Sequence, residues 1–226
     1  MLWIFSVSSH FDSSLSQTPK STPPPAATTP TRYLPQPKTI IVFTGLEASD
    51  LTKRTIKSLS GTLSEDIKSC SHLITDKVKR TVKFLCAIGR GLPIVNETWL
   101  KQSKGCKTFV SADDFIIKDK ASEKLYSFDL VKSIMSARKT AFLEGWSFHP
   151  TSACKPDANQ LNDILSCNGG TLLRKAPKSF QDKLIVLANR TENIKHFQIL
   201  GLPICTTELI LTGVLRQRLS LEEFKL

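Results

Sequence analysis

From Lys38 onward, apolar positions fall into short continuous runs separated by turn residues and by stretches with helical spacing. Thr39-Ile40-Ile41-Val42-Phe43, stopped by Thr44-Gly45, reads as a strand buried on both faces. Ser49 or Asp50 can cap a helix whose apolar positions are Leu51, Ile56 and Leu59, with Gly61 closing it. Thr62-Leu63 begins a second strand and His72-Leu73-Ile74-Thr75 a third. A second helix turns Val82, Leu85 and Cys86 inward. Gly91-Leu92-Pro93-Ile94-Val95 then makes a short strand, and Glu97-Thr98-Trp99-Leu100 opens a last helix. The order β-α-β-β-α-β-α predicts an α/β fold with a parallel sheet of about four strands and helices on both faces.

The second half returns to this order. Gly61-Thr62-Leu63 recurs as Gly170-Thr171-Leu172, Leu73-Ile74 as Leu184-Ile185, and Gly91-Leu92-Pro93-Ile94 as Gly201-Leu202-Pro203-Ile204. Such matches, in order and at nearly constant offset, mark a duplicated module. The copies are expected over 38–117 and 142–226, joined by 118–141, where Phe128, Leu130, Ile134 and Met135 suggest a linker helix packed against both. Residues 1–37 differ in texture. Pro23-Pro24-Pro25, the Thr-Pro steps at Thr18, Thr22 and Thr29, and Ser16-Gln17 make a Ser/Thr/Pro-rich tether expected to be disordered. The abrupt start suggests the C-terminal part of a longer protein, or an uncertain gene start.

Composition narrows the function classes. At 226 residues and 40% hydrophobic, two small domains can fold without disulfide or metal staples. Thirty-one Lys and Arg against twenty Asp and Glu leave a net +11, which draws in polyanions: nucleic acid, anionic lipid, or phosphorylated and acidic protein tails. No run reaches the roughly 18 residues of a membrane span, and Met1-Leu2-Trp3-Ile4-Phe5 lacks the flanks of a signal peptide. Cysteines 70, 86, 106, 154, 167 and 205 are scattered without a CxxC, as expected of reduced thiols in a cytosolic or nuclear protein.

No Gly-rich phosphate loop, nucleophile elbow, metal cluster or cofactor motif is present in the sequence, so no cofactor is expected. Histidines 10, 72, 149 and 196 are isolated, and His72 reads as a structural residue beside a buried strand. The sequons Asn96-Glu97-Thr98 and Asn189-Arg190-Thr191 carry no meaning without secretion. Nothing reads as catalytic.

The strand ending at a turn, the Gly-Thr after the first helix, the buried Leu-Ile strand, the late Gly-Leu-Pro-Ile strand and Trp99 in the last helix resemble BRCT repeats. The likeness covers Lys38 to Leu226. The string Thr81-Val82-Lys83-Phe84-Leu85-Cys86-Ala87-Ile88-Gly89-Arg90-Gly91 resembles tandem members of the DNA-damage response, and Leu211-Thr212-Gly213-Val214-Leu215 is shared with them. Leu209 departs from the pattern, standing where many copies carry an aromatic residue. The resemblance implies two repeats packed in tandem and a non-enzymatic, nuclear reader of phosphoserine peptides. The ligand it implies is the tail of a damage-marked histone variant, Ser-Gln-Glu-Tyr with phosphoserine and a free carboxylate. Internal phosphoserine motifs, direct DNA binding through the charge surplus, and a scaffold for folded partners are the alternatives.

Thr44 and Gly45 end the first strand, where a hydroxyl and a backbone N–H are free to donate, and ligands of α/β sheets gather at strand carboxyl ends. Lys83 begins the second helix with its ammonium facing out. Locally these are also an ordinary turn and a solvated lysine. The resemblance makes Thr44, Gly45 and Lys83 the phosphate-binding residues. It makes Arg80, three residues before Lys83 and expected on the same helical face, the partner of the peptide's terminal carboxylate. Pro156 and Glu208 are implied to line the same pocket from the second copy, whose counterpart of Lys83 falls near Ile194 or Lys195.

Overall fold

The computed structural model describes residues 38–226; the tether and its Thr-Pro and Ser-Gln steps lie outside the described residues. In the first repeat the strands are β1 (Ile40–Phe43), β2 (Thr62–Leu63), β3 (His72–Ile74) and β4 (Ile94–Val95), all parallel in the order β2-β1-β3-β4. Helices α1 (Asp50–Ser58), α2 (Val82–Gly89) and α3 (Glu97–Cys106) alternate with them. The linker carries α4 (Lys120–Tyr126) and α5 (Leu130–Ala137). The second repeat repeats the plan: β5 (Ser147–Pro150), α6 (Ala158–Cys167), β6 (Thr171–Leu172), β7 (Leu184–Leu187), α7 (Lys195–Ile199), β8 (Ile204–Cys205) and α8 (Glu208–Arg216), followed by α9 (Leu221–Phe224). Its parallel sheet has the matching order β6-β5-β7-β8.

Alternation along the strands distributes the core. In β1, Ile41 and Phe43 point with Ile56, Trp99 and Leu100 into a cluster beneath α1 and α3, while Val42 points the other way, towards α2. In β7, Leu184 and Val186 face α7, whereas Ile185 and Leu187 face α6 and α8. The α2 face of the first sheet and the α6/α8 face of the second share one continuous apolar cluster, so the repeats join through unlike faces. This explains α2: Phe84, Leu85, Cys86, Ala87 and Ile88 are all fully buried, because one side meets its own sheet and the other meets the second repeat. Of these, Phe84, Leu85 and Ile88 each contribute about 1.5–3 kcal/mol by leaving water.

Local expectations hold in part. Ser49 is the cap of α1, accepting from the Thr52 amide at 3.1 Å. Leu51, expected inward, is 65% exposed in the first turn of α1, whose buried residues are Thr55 and Ile56. Ser60, not Gly61, takes the left-handed conformation that ends this helix; Gly61 is needed because a Cβ there would press on the Phe109 ring. The expected single linker helix is two, broken at Ser127 (φ +52°). Leu130 and Ile134 are buried as expected, but Met135 turns outward. His72 stacks on Trp99 at 4.5 Å, and burial pushes its imidazole down to about 4, as suits a structural histidine.

Candidate functional site

A cleft of about 780 Å³ opens at the carboxyl end of β1, lined among others by Thr44, Gly45, Lys53, Glu65, Thr81 and Lys83. Thr44 continues the β1 ladder, its amide donating to the Ile74 carbonyl at 3.1 Å. Its hydroxyl is not free-standing as expected; it shares a hydrogen bond of 2.9 Å with the Thr81 hydroxyl. Thr81 is the N-cap of α2, accepting from the Phe84 amide at 3.2 Å. One bond thus ties the end of β1 to the start of α2. Gly45 has φ +74°, and a Cβ there would overlap the Lys79 side chain, whose ammonium donates to the Gly45 carbonyl at 2.8 Å. That closure leaves the Gly45 amide exposed at the cleft mouth, bonded to nothing among the described residues. Lys83, in the first turn of α2, pairs with the carboxylate of Glu65, which is 84% exposed.

Arg80 lies ahead of the Thr81 cap and so outside the helix; it does not share a helical face with Lys83. Instead its guanidinium stacks on the Tyr126 ring of α4, 4.6 Å from the centroid, and its Nη1 donates to Glu208 Oε2 at 2.5 Å. Glu208 opens α8 of the second repeat, where its Oε2 also accepts from the Thr212 hydroxyl at 3.1 Å. Pro156, half-buried after a cis Lys155–Pro156 peptide, lies on a loop held to the start of α8 by the Thr207 hydroxyl donating to the Lys155 carbonyl at 2.8 Å. The structure therefore brings Thr44, Gly45 and Lys83 to one cleft and pairs Arg80 with Glu208 across the repeats. The loop of Pro156 is fastened beside Glu208. Sequence reasoning missed Thr81, whose signal was a threonine immediately before an apolar helix. It also missed Glu65 and Tyr126, for which no local signal exists.

The second repeat builds its counterpart differently. Thr151 follows β5 as Thr44 follows β1, its amide donating to the Leu187 carbonyl at 2.9 Å. Its hydroxyl donates to Glu192 Oε2 at 2.5 Å, and the Asn189 amide reaches the same oxygen at 2.8 Å. Burial works against the Glu192 charge, but these bonds, with one from the Ala153 amide, hold the carboxyl below its ordinary range. Helix α7 starts at Lys195, so its second position is His196, one beyond the counterparts expected for Lys83.

A family model described as the Regulator of Ty1 transposition protein 107 BRCT domain matches residues 23–117, and one described as the BRCT domain matches 141–225. This chain belongs to the BRCT family. Its BRCT pair is 39% identical over 202 residues to mediator of DNA damage checkpoint protein 1 of Rattus norvegicus, covering 88% of this chain and 16% of that protein. PAX-interacting protein 1 of Bos taurus is 31% identical over 211 residues, covering 87% of this chain and 21% of that protein. The chain thus spans a minor part of the length of these relatives. Among solved structures, the BRCT5-BRCT6 domains of S. pombe Brc1 superpose with a TM-score of 0.67 at 18% identity, covering 82% of this chain and 95% of that one. Rtt107p in complex with a phosphorylated histone superposes with a TM-score of 0.58 at 13% identity, covering 83% and 90%. At these identities the superpositions establish the tandem BRCT fold.

Proposed function

We propose that this chain is a phosphoserine-peptide reader of the DNA-damage response, acting in the nucleus by binding and not by catalysis. The observation that carries this reading is the convergence of donors at one cleft mouth. The Gly45 amide, the linked Thr44 and Thr81 hydroxyls and the Lys83 ammonium surround a space large enough for a phosphate and the residues beside it. Three oxygens of a dianion suit such a set, since charge-assisted bonds are about twice as strong as neutral ones. The phosphate displaces the exposed Glu65 carboxylate from Lys83, replacing a single negative charge with a near-dianion.

The tail of the damage-marked histone variant, phosphorylated in Ser-Gln-Glu-Tyr, is the ligand of this reading. Its free carboxylate goes to Arg80, of which only Nη1 is engaged among the described residues, with Glu208 and Pro156 flanking it. Similarity to a mediator of the DNA damage checkpoint and to Rtt107p, solved with a phosphorylated histone, supports this class of ligand. Retention of a longer protein at broken DNA follows. The likeness to PAX-interacting protein 1 favours a second reading, in which internal phosphoserine motifs bind without a terminal carboxylate.

Fluorescence anisotropy of a labelled Ser-Gln-Glu-Tyr peptide decides between them. The phosphorylated acid should bind tightly, the unphosphorylated peptide not at all, and the phosphorylated C-terminal amide weakly. Equal binding of both phosphorylated forms would establish the second reading. Binding of none, with steeply salt-dependent affinity for DNA, would replace both by a DNA-binding role for the +11 surface.

A further inference from the structure

The guanidinium of Arg80 is held by an aromatic ring that the phosphate cleft does not use. Tyr126 ends α4, at the break before α5, and its half-buried side chain packs against the apolar cluster that the repeats share. Arg80 Cζ lies over this ring, 4.6 Å from the centroid. The backbone that carries the ring is tied to the second repeat. Arg216, the last residue of α8, donates from Nε to the Tyr126 carbonyl at 2.8 Å, while its Nη1 pairs with Glu223 of α9 at 2.6 Å.

Arg80 needs such a hold. It precedes the Thr81 cap and so belongs to a loop, where a long side chain has many rotamers to lose. Glu208 draws its Nη1 across the repeats, and a carboxylate can take two donors of a guanidinium fork at once. A Glu208 bonded in that way would occupy an edge that a peptide carboxylate needs. Cation–π attraction settles the face of the guanidinium on the ring without using an N–H donor. The edge is fixed separately by one bond to Glu208 Oε2, an oxygen already shared with the Thr212 hydroxyl at 3.1 Å. Nε and Nη2 of Arg80 are bonded to nothing among the described residues.

We propose that Tyr126 is a positioning residue for the peptide's terminal carboxylate: its ring keeps the Arg80 fork from closing on Glu208 and so leaves donors for a free C-terminus. This rests on the reading of Arg80 as the partner of that carboxylate, and adds that the linker takes part in selecting the peptide's end. Phosphate affinity stays with Thr44, Gly45 and Lys83, whereas discrimination between a C-terminal acid and its amide runs through Arg80 and therefore through Tyr126.

The test compares the phosphorylated Ser-Gln-Glu-Tyr acid and its C-terminal amide by fluorescence anisotropy in variants of the whole chain, each checked by urea unfolding. In Tyr126→Phe, which keeps the ring, the preference for the acid should match the parent. In Tyr126→Leu, which keeps apolar bulk without the ring, the acid should lose roughly three- to tenfold while the amide is unchanged. Tyr126→Met takes its place should the Leu variant fail to fold. Added to Arg80→Ala, the same substitution should cost nothing further, since the ring acts through the guanidinium. Equal weakening of acid and amide, a further loss in the absence of Arg80, or an unchanged preference in Tyr126→Leu would each overturn the proposal while leaving Arg80 its role. A parent that binds both phosphorylated forms equally would overturn the reading of Arg80 itself, and the proposal with it.

Discussion

In the first repeat, the threonine after the central strand opens onto a cleft; in the second, the matching threonine is closed on a carboxylate from its own chain. Thr44 meets Thr81, and the neighbouring Gly45 amide has no hydrogen-bond partner among the described residues. Thr151 meets Glu192, which also gathers the Asn189 and Ala153 amides. The helices that follow differ in the same sense. Helix α2 is capped by Thr81 and buried nearly all round, whereas α7 is a shorter helix with no side-chain cap and no buried residue. Duplicating a fold thus conserves strand order while leaving the loop chemistry free to diverge. An anion-shaped set of donors persists in both repeats, but in the second Glu192 is already the anion.

The helices provide the largest contrast to break. Phe84→Ala in α2 empties a fully buried core position and should cost about 3–5 kcal/mol in urea unfolding. Ile199→Ala at the end of α7, where the side chain is 84% exposed, should stay within about 0.5 kcal/mol. Equal losses would mean that the buried circumference of α2 contributes no more than the open face of α7. Binding divides the repeats next. Lys83→Ala should weaken the phosphorylated peptide by roughly ten- to a hundredfold, as loss of a charge-assisted bond implies, while Lys195→Ala leaves affinity unchanged. Anisotropy titrations of both variants decide it; a comparable loss from Lys195→Ala would place phosphate contacts in the second repeat too.

Affinity should also follow the ligand's own charge. The phosphate has its second ionisation near pH 6, so binding at the first-repeat cleft weakens as pH falls below about 6 and the dianion becomes a monoanion. A titration flat from pH 5 to 8 contradicts a phosphate-centred site. The same pH range tests the fold of this repeat, because His72 is held neutral down to about 4. Its folded value lies below the unfolded one of about 6.5, so its contribution is whole above 6.5 and is lost as pH falls towards 4. Unfolding midpoints collected alongside the binding curves separate the two effects.

Much of this comparison is legible in the sequence alone. Short continuous apolar runs, the repeated Gly-Leu-Pro-Ile and the Thr-Gly stop after β1 are local signals, and they located both sheets and the end of the central strand. Local periodicity says which side of a helix is apolar, not what covers it. Leu51 and Met135 therefore face solvent, and α2 buries more of its circumference than three inward positions suggested. Long-range pairing was illegible for the same reason. Arg80 meets Glu208 only because the repeats join through unlike faces; resemblance, not spacing, assigned both to one pocket, and their ion pair went unforeseen. Glu192 gave no signal at all, since a glutamate in a polar loop is ordinary until a fold delivers Thr151 to it.

That hidden glutamate sets the smallest and most discriminating test. Glu192→Gln keeps the shape of the side chain and removes the charge from a half-buried acceptor of three donors. Because the folded carboxyl titrates below its unfolded value of about 4.3, its contribution is fully present above that pH and disappears as pH falls through the folded value. The variant should therefore be less stable than the parent at pH 7, by on the order of 1 kcal/mol or less given its partial exposure, and the two should converge in acid. Urea unfolding from pH 7 down to pH 3 measures the difference. Peptide affinity should not change, because the glutamine still fills the donors around Thr151 and the open cleft belongs to the first repeat. Equal stability of the two proteins at pH 7 would mean that the carboxylate rests in the second repeat without holding it, and that the repeats differ in vacancy but not in energy.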